Sequence, residues 1–317
     1  MLKYVLQRLL LMVFTLLIIL SMCFTLVRLL PPVALPVGDP HTPALEAQRE
    51  ALGYNKPIIV QLGIFYRNIF TKWDWGVSDK LYLGQAVWPK FIEKLPPTVL
   101  VNLYSILLSI PIGIILGIIA ALKKNSWIDH TISTSTMVVI SVPSFVYAFL
   151  LQYFFSYKLN VFPFQMKEGY DYFTWNMFVS MLPAVMSLSF GVIAGFTRTT
   201  RAELSEVLTS EFMLLARTKG LTRAQATVRH ALKNCMVVIV PAIFGEFIGI
   251  MSGSLIIEQI FGVPGVGGLY LNSINGRDYP MFMLLTSFYT TIGLLAGIIV
   301  DISYGFIDPR IRMGSRK

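Results

Sequence analysis

The stretch TVLVNLYSILLSIPIGIILGIIAAL, running from Thr98 to Leu122, is 25 residues long and carries no charged side chain. An α-helix rises about 1.5 Å per residue, so about 20 apolar residues cross the hydrocarbon core of a bilayer. This run is long enough to do so. Four further uncharged runs lie around it: Leu9–Val27, Thr131–Tyr157, Trp175–Thr197 and Met281–Val300. A sixth, Cys235–Ile257, holds one carboxylate, Glu246. The predicted fold class is an all-α polytopic membrane protein with six transmembrane helices, because lipid leaves backbone amides no partner outside a helix or closed barrel. A barrel needs alternating segments of about 10 residues, and the sequence has none.

Composition agrees. Of 317 residues, 55% are apolar and 14% are charged, against roughly 25% charged in an average soluble domain. Mean hydropathy is +0.66. Too few charges remain to coat a soluble protein of this length, which excludes a cytosolic enzyme, a secreted disulfide scaffold and a disordered tail. The two cysteines, Cys23 and Cys235, fall in or beside apolar runs and have no metal-site spacing. The first run follows Lys3 and Arg8, as a signal peptide would. It is longer than a usual signal core and continues into Arg28-Leu-Leu-Pro-Pro without a small-residue cleavage site, so it reads as a retained span.

Charge sets the orientation. Residues 1–8, 123–130, 198–234 and 301–317 together hold 15 basic and six acidic residues. The opposite set of connecting segments holds 11 basic and 10 acidic residues. Positive residues favour the cytoplasmic side, which predicts cytoplasmic N and C termini. The net charge of +9, which would suggest nucleic acid in a soluble protein, is here an orientation signal.

Two polar pieces interrupt the spans. Residues 31–97 fall on the predicted outer side. They are rich in prolines at first, then hold a helix from Thr42 to Leu52 and an amphipathic one from Ile58 to Phe70. Trp73, Trp75 and Trp88 suit the headgroup level. This piece reads either as a cap on the outer mouth or as a docking surface for an external partner. The second piece is the loop Arg198–Asn234. Leu204, Val207, Leu208, Phe212, Leu215 and Ala216 recur with helical spacing and predict one amphipathic helix. Gly220 predicts a helix stop, and Thr222 with Gln225 a capping box that opens a second helix running into the fifth span. A basic amphipathic helix can also lie on anionic lipid.

No energy source is evident. The chain has no phosphate loop, no zinc-protease helix and no nucleophile elbow. Ser252-Gly253 near Gly249 is weakly protease-like, but reads first as small residues for close helix contact. Glu246 is the one carboxylate well inside a span, where proton-coupled transporters usually carry several charges. It either pairs with a neighbouring polar group or water, or lines the path. A membrane pathway without an engine, holding a rigid helix–glycine–helix loop, points to a subunit driven by another chain.

At that loop the chain resembles the membrane subunits of binding-protein-dependent ABC importers, in the oligopeptide/dipeptide/nickel permease B branch. The resemblance rests on Glu211-Phe-Met-Leu-Leu-Ala-Arg-Thr-Lys-Gly-Leu-Thr222 and Arg229-His-Ala-Leu-Lys-Asn234. Relative to the general loop pattern (Glu-Ala-Ala, three residues, Gly, nine residues, Ile-x-Leu-Pro), the chain keeps Ala216, Gly220 and Leu232. Leu214 and Leu215 replace Glu-Ala, and Lys233 replaces proline. Further agreement comes from Leu95-Pro-Pro-Thr98, Pro111-Ile-Gly113, Ser141-Val-Pro-Ser-Phe145, Glu258-Gln-Ile-Phe-Gly-Val-Pro-Gly-Val-Gly267, Arg277-Asp-Tyr-Pro280 and Asp308-Pro-Arg-Ile-Arg312.

The resemblance implies a type I ABC importer permease in a bacterial cell membrane. Its parts would be an N-terminal span (1–30), a small extracellular cap (31–95), a permease core (96–304) with coupling loop 198–234, and a cytoplasmic tail (305–317). It implies a second homologous permease subunit, two ATPase subunits and an external substrate-binding lipoprotein. The chain itself would bind no cofactor; ATP and Mg would sit in the ATPases. Peptide would be the cargo, with oligopeptides ahead of dipeptides and of nickel or another small solute. Glu211, Phe212, Leu215, Ala216, Arg217, Lys219, Gly220 and Leu221 would form the ATPase-coupling loop. Pro143, Ser144 and Glu246 are candidates for the translocation path. Pro264, Gly265, Arg277 and Asp278 are candidates for an outer gate or receptor contact, or else a structured turn with a local ion pair. The remaining alternatives are a proton-coupled secondary transporter and an intramembrane enzyme or scaffold.

Overall fold

The computed structural model describes residues 2–31, 34–35, 38–167, 169, 171–249 and 255–307. The Asp308–Arg312 motif and Ser252-Gly253 lie outside them. The chain is helical, with one isolated antiparallel bridge, Val77 to Ala86, among the described residues. In order the helices are α1 (Leu2–Leu29), α2 (Thr42–Ala51), α3 (Ile58–Lys72), α4 (Val87–Leu122), α5 (Trp127–Ser141) and α6 (Ser144–Leu151). They continue with α7 (Trp175–Leu208), α8 (Glu211–Thr218), α9 (Arg223–Ala226), α10 (Leu232–Gly249), α11 (Leu255–Ile260), α12 (Val266–Gly276) and α13 (Tyr279–Ile307). Short π-helical turns, Gln152–Lys158 and Thr227–Ala231, extend α6 and join α9 to α10.

Among the described residues, five helical stretches are long and apolar enough to cross a membrane: Val5–Leu29, Val87–Leu122, Trp175–Leu208, Ala224–Gly249 and Tyr279–Ser303. The expected third span is not one straight rod. Trp127–Ser141 and Ser144–Lys158 meet at a bend of 97°. Counting that pair as one span gives six. The break has a local cause: Val142 precedes Pro143 and takes an extended conformation (φ −100°, ψ 126°), as steric pressure from the proline ring favours. Pro111 and Pro183, also candidates for bends, are instead carried within α4 and α7.

The chain divides into two compact units. The first comprises Met1–Thr98, Met251–Gln259 and Pro264–Leu295. Here α1 packs on α3 through Phe24 and Phe65, whose ring centres are 5.0 Å apart. The Arg28 guanidinium lies 3.8 Å from the centre of the Tyr54 ring. A second cluster joins Val87 and Phe91 to Val266, Leu269, Met281, Leu284 and Leu285, all buried. The loop after α3 turns at Trp73, whose φ is +53°, and its two-residue bridge leads into α4. The predicted helices at Thr42–Leu52 and Ile58–Phe70 correspond to α2 and α3.

The second unit comprises Val99–Ile250, Ile260–Val263 and Ala296–Lys317. Its core gathers Ile106, Ile110, Phe196, Leu204, Met213, Ala216, Cys235 and Ile239, all buried. Two glycines of α4 let α7 approach closely. A Cβ on Gly113 would lie 2.7 Å from Phe196 Cβ, and one on Gly117 would lie 2.5 Å from Thr200 Cβ. Small residues four apart permit such backbone contact between apolar helices, where van der Waals packing replaces the hydrophobic drive. At one end of this helix group, Asp129 of α5 pairs with Arg201 of α7. Nε reaches Oδ1 at 2.5 Å and Nη2 reaches Oδ2 at 2.8 Å. The Asn125 amide and the Ser133 hydroxyl also donate to this carboxylate, at 2.9 and 3.2 Å.

Candidate coupling surface and membrane cleft

The loop from Arg198 to Asn234 is built from local signals. The amphipathic pattern beginning at Leu204 predicts one helix through Ala216; the structure divides it at Thr209-Ser210. Thr209 Oγ1 donates to the Glu206 carbonyl at 2.9 Å, and Ser210 Oγ donates to the Val207 carbonyl at 2.6 Å. Such side-chain bonds offer the preceding turn partners that compete with helix continuation. Ser210 then turns extended (φ −74°, ψ 153°), and α8 starts anew at Glu211.

Gly220 ends α8 as its position predicts. Its φ is +89°. The Gly220 amide donates to the Arg217 carbonyl at 3.0 Å, and the Leu221 amide to the Ala216 carbonyl at 3.4 Å. This pair of bonds is the Schellman closure, which needs a left-handed residue where glycine meets no Cβ penalty. The capping box also forms. The Thr222 amide donates to Gln225 Oε1 at 3.0 Å, and the Gln225 amide donates to Thr222 Oγ1 at 3.3 Å. Both ends of the elbow are thus closed by short-range bonds.

The division reassigns faces. Met213 and Ala216 are buried in the unit core beside Leu204, Val207 and Leu221. Phe212, Leu214 and Leu215 are exposed by 42%, 63% and 56%. Ala216 therefore faces inward, whereas Phe212 and Leu215 belong to an open apolar face. Glu211, Arg217, Lys219 and Gly220 are exposed and Leu221 is half-buried. Leu214, absent from the predicted set, extends the open face. The Phe212 ring sits edge-on to His230, 5.5 Å between centres. The structure brings the loop residues together on one short helix and its elbow.

The path candidates are dispersed within their unit. Pro143 and Ser144 are exposed at the break between α5 and α6. Glu246 is half-buried on α10 and lines a cleft of about 280 Å³ with Gly191, Gly195 and Thr199 of α7 and Ala242 of α10.

The other four candidates belong to the first unit. Gly265 precedes α12, and Arg277 follows it with φ +56°. Arg277 is exposed and Pro264 half-buried. Asp278 is fully buried. Its Oδ2 accepts from Ser78 Oγ and from the amides of Leu81 (2.9 Å) and Lys80 (3.3 Å). Its Oδ1 accepts from the amides of Asp79 (3.4 Å) and Met281 (3.3 Å). No ion pair joins Arg277 to Asp278 among the described residues. Asp278 instead caps α13 and fastens the loop before α4.

Glu258 does similar work beside α12. Its carboxylate accepts from Thr98 Oγ1 at 2.8 Å and from the Gly267 and Gly268 amides at 2.8 and 3.3 Å. Thr98 Oγ1 accepts from the Val266 amide at 2.9 Å. An acceptor here satisfies amides that the first turn of a helix leaves open. Sequence spacing does not point to this constellation, to the Asp129–Arg201 pair or to the Ser78 contact. Glu258 and Asp129 each stand at a helix start, which was the available signal.

Comparison with known proteins places this architecture. Residues 113–313 match the family described as binding-protein-dependent transport system inner membrane component. Residues 1–101 match the N-terminal region of such membrane components. The dipeptide transport system permease protein DppB of Lactococcus lactis subsp. cremoris is 32% identical over 315 residues, covering 99% of this chain and 100% of that one. The oligopeptide transport system permease protein OppB of Haemophilus influenzae is 33% identical over 315 residues, covering 98% and 100%. Among solved structures, an amino acid ABC transporter shares the fold with a TM-score of 0.51 at 21% identity, covering 68% of this chain and 93% of that chain. An inward-facing methionine transporter, MetNI, gives 0.51 at 16% identity, covering 67% and 95%. With the family profile spanning most of its length and full-length relatives above 30% identity, the chain belongs to the inner-membrane components of binding-protein-dependent transport systems.

Proposed function

We propose that this chain is one of two permease subunits of an ATP-driven peptide importer in a bacterial cell membrane. Two separate ATPase subunits bind ATP and Mg and drive it, and an external binding protein delivers the peptide. Oligopeptides are the first reading of the cargo and dipeptides the second, since relatives named for each align end to end. Both termini and the 198–234 loop face the cytoplasm in this reading, and the region 31–95 lies outside.

The observation that carries the proposal is the open apolar face of α8. Phe212, Leu214 and Leu215 stand exposed on a short helix beside the basic Arg217 and Lys219. Its other face is packed into the core through Met213 and Ala216. An apolar helix face set into a groove, with charges at the rim, is a recurrent mode of protein recognition. Because the elbow at Gly220 is closed by hydrogen bonds, a push on α8 is passed into the helices on either side rather than absorbed.

The test is Gly220→Val in the complete transporter. A β-branched residue at φ +89° is strained. Membrane insertion and association with the second permease should persist, while peptide import falls at least tenfold and ATP hydrolysis no longer responds to loaded binding protein. Import at the normal rate would refute α8 as the coupling element. Wild-type import without any ATPase subunit would instead favour proton-coupled transport.

A further inference from the structure

The cleft between α7 and α10 carries a more specific reading, which rests on the proposed role in peptide import. Gly191, Gly195 and Thr199 recur every fourth residue and so share one face of α7. Ala242 and Glu246 do the same on α10. Together they line a cleft of about 280 Å³, close to the lower end of volumes typical of small-ligand pockets.

The glycines of this cleft do not serve packing against other described residues of the chain. A Cβ at Gly113 or Gly117 would collide with α7, whereas one at Gly191 or Gly195 would meet nothing within 4 Å. Their small size keeps the wall concave beside Glu246. Thr199 supplies a hydroxyl on the same face, and no basic side chain among the described residues lines the cleft. Glu246 has no hydrogen-bond or ion-pair partner among the described residues. A carboxylate in an apolar span is costly unless it meets water or a cation. A recess of about 280 Å³ with one acid and no cation among its described lining residues suits a positively charged group that comes and goes.

We infer that Glu246, with Thr199 and the Gly191–Gly195 wall, forms a transient site for the cationic side chain of a peptide in passage. The chemical class is an ammonium or guanidinium on an amino-acid side chain. A lasting partner, such as a basic residue of the second permease, is the competing occupant.

Selectivity tests this in the complete transporter with its own binding protein and ATPases. The probes are Ala-Lys-Ala, Ala-Ala-Ala and Ala-Glu-Ala, taken up by wild type, Glu246→Gln, Glu246→Asp and Glu246→Lys. The binding protein is the same throughout, so its own preference cancels between variants. Glu246→Gln should lower the ratio of Ala-Lys-Ala to Ala-Glu-Ala uptake roughly tenfold, the size of one modest ionic contact. Glu246→Asp should keep most of the ratio, and Glu246→Lys should invert it. An unchanged ratio would overturn the site, as would an equal loss for all three peptides, which marks a structural or subunit contact. Neither result would touch the reading of peptide import. Failure of the wild-type transporter to take up any of the three would remove that reading and the site with it.

Discussion

The Ser78 hydroxyl donates to the Asp278 carboxylate across 200 residues of chain, and both residues are fully buried. This one bond fixes the turn before α4 to the start of α13. Ser78 also receives the Tyr82 amide at 2.8 Å. Ser78→Ala removes two hydrogen bonds, the one Ser78 donates and the one it accepts, and should cost about 2 kcal/mol. Asp278→Ala leaves several buried amides without an acceptor and should cost roughly 3 kcal/mol or more. Limited proteolysis between residues 74 and 86 reads the difference. Equal cleavage in Asp278→Ala and wild type would show that the carboxylate does not hold the turn.

Gly117→Leu should separate α4 from α7. Even the first carbon of the new side chain falls 2.7 Å from the Thr197 carbonyl oxygen. The backbones must move, at a cost of roughly 3 kcal/mol or more. Gly191→Ala, with nothing within 4 Å of the added carbon, should leave the melting temperature of the detergent-solubilised transporter unchanged. The two melting curves together distinguish a packing glycine from a space-keeping one.

Asp129→Ala strands Arg201. Asp129 is 1% exposed at its side chain and Arg201 is 33% exposed, so the cost should be about 2–3 kcal/mol, below that of a wholly buried pair. A double-mutant cycle with Arg201→Gln should return most of that figure as coupling. Independent, additive losses would show that the pair does not act as a unit.

Asp79 gives a pH dependence. Burial pushes its carboxyl above the ordinary range; the Arg49 guanidinium, 3.3 Å away, opposes that and the Asp278 charge adds to it. A carboxyl with a raised pKa in the folded state binds its proton more tightly there than when unfolded. Its contribution to stability is therefore full below the unfolded value and is lost as pH rises through the folded one. The protection factors of the 77–82 amides, with the intrinsic pH dependence of exchange divided out, should be higher at mildly acidic pH than at neutral pH, and the Asp79→Asn variant should lose that difference. The same pH response in both proteins would assign it to another group.

The features legible in the sequence are those that depend on near neighbours. Absence of charge over 19 or more residues marks five of the runs, a single carboxylate, Glu246, does not hide the other, and the Thr222–Gln225 spacing marks a cap that forms as expected. Gly220 marked the helix stop by its type alone. What escaped was of two kinds. The break at Pro143 interrupts a run whose hydropathy is uniform, so composition hid it although the Val-Pro pair carried the signal. The bonds of Glu258 to Thr98 and of Asp278 to Ser78 link residues 160 and 200 apart, and no periodicity encodes such partners. Ala216 keeps the buried face it shares with Leu204 and Val207, whereas Phe212 and Leu215 leave it because the helix register resets at Ser210.

One helix has a mechanical consequence. Helix α7 runs unbroken for 34 residues, about 50 Å at 1.5 Å per residue, whereas a bilayer core is about 30 Å thick. It is a lever longer than the slab it crosses. Tilting such a rod by 10° about its middle swings each end by roughly 4 Å, from the same rise per residue. Gly191 sits near that middle and Leu208 at the end next to α8. A stroke delivered at the tip would therefore reach the cleft chiefly as rotation of its wall, turning the carboxylate's surroundings while hardly translating them.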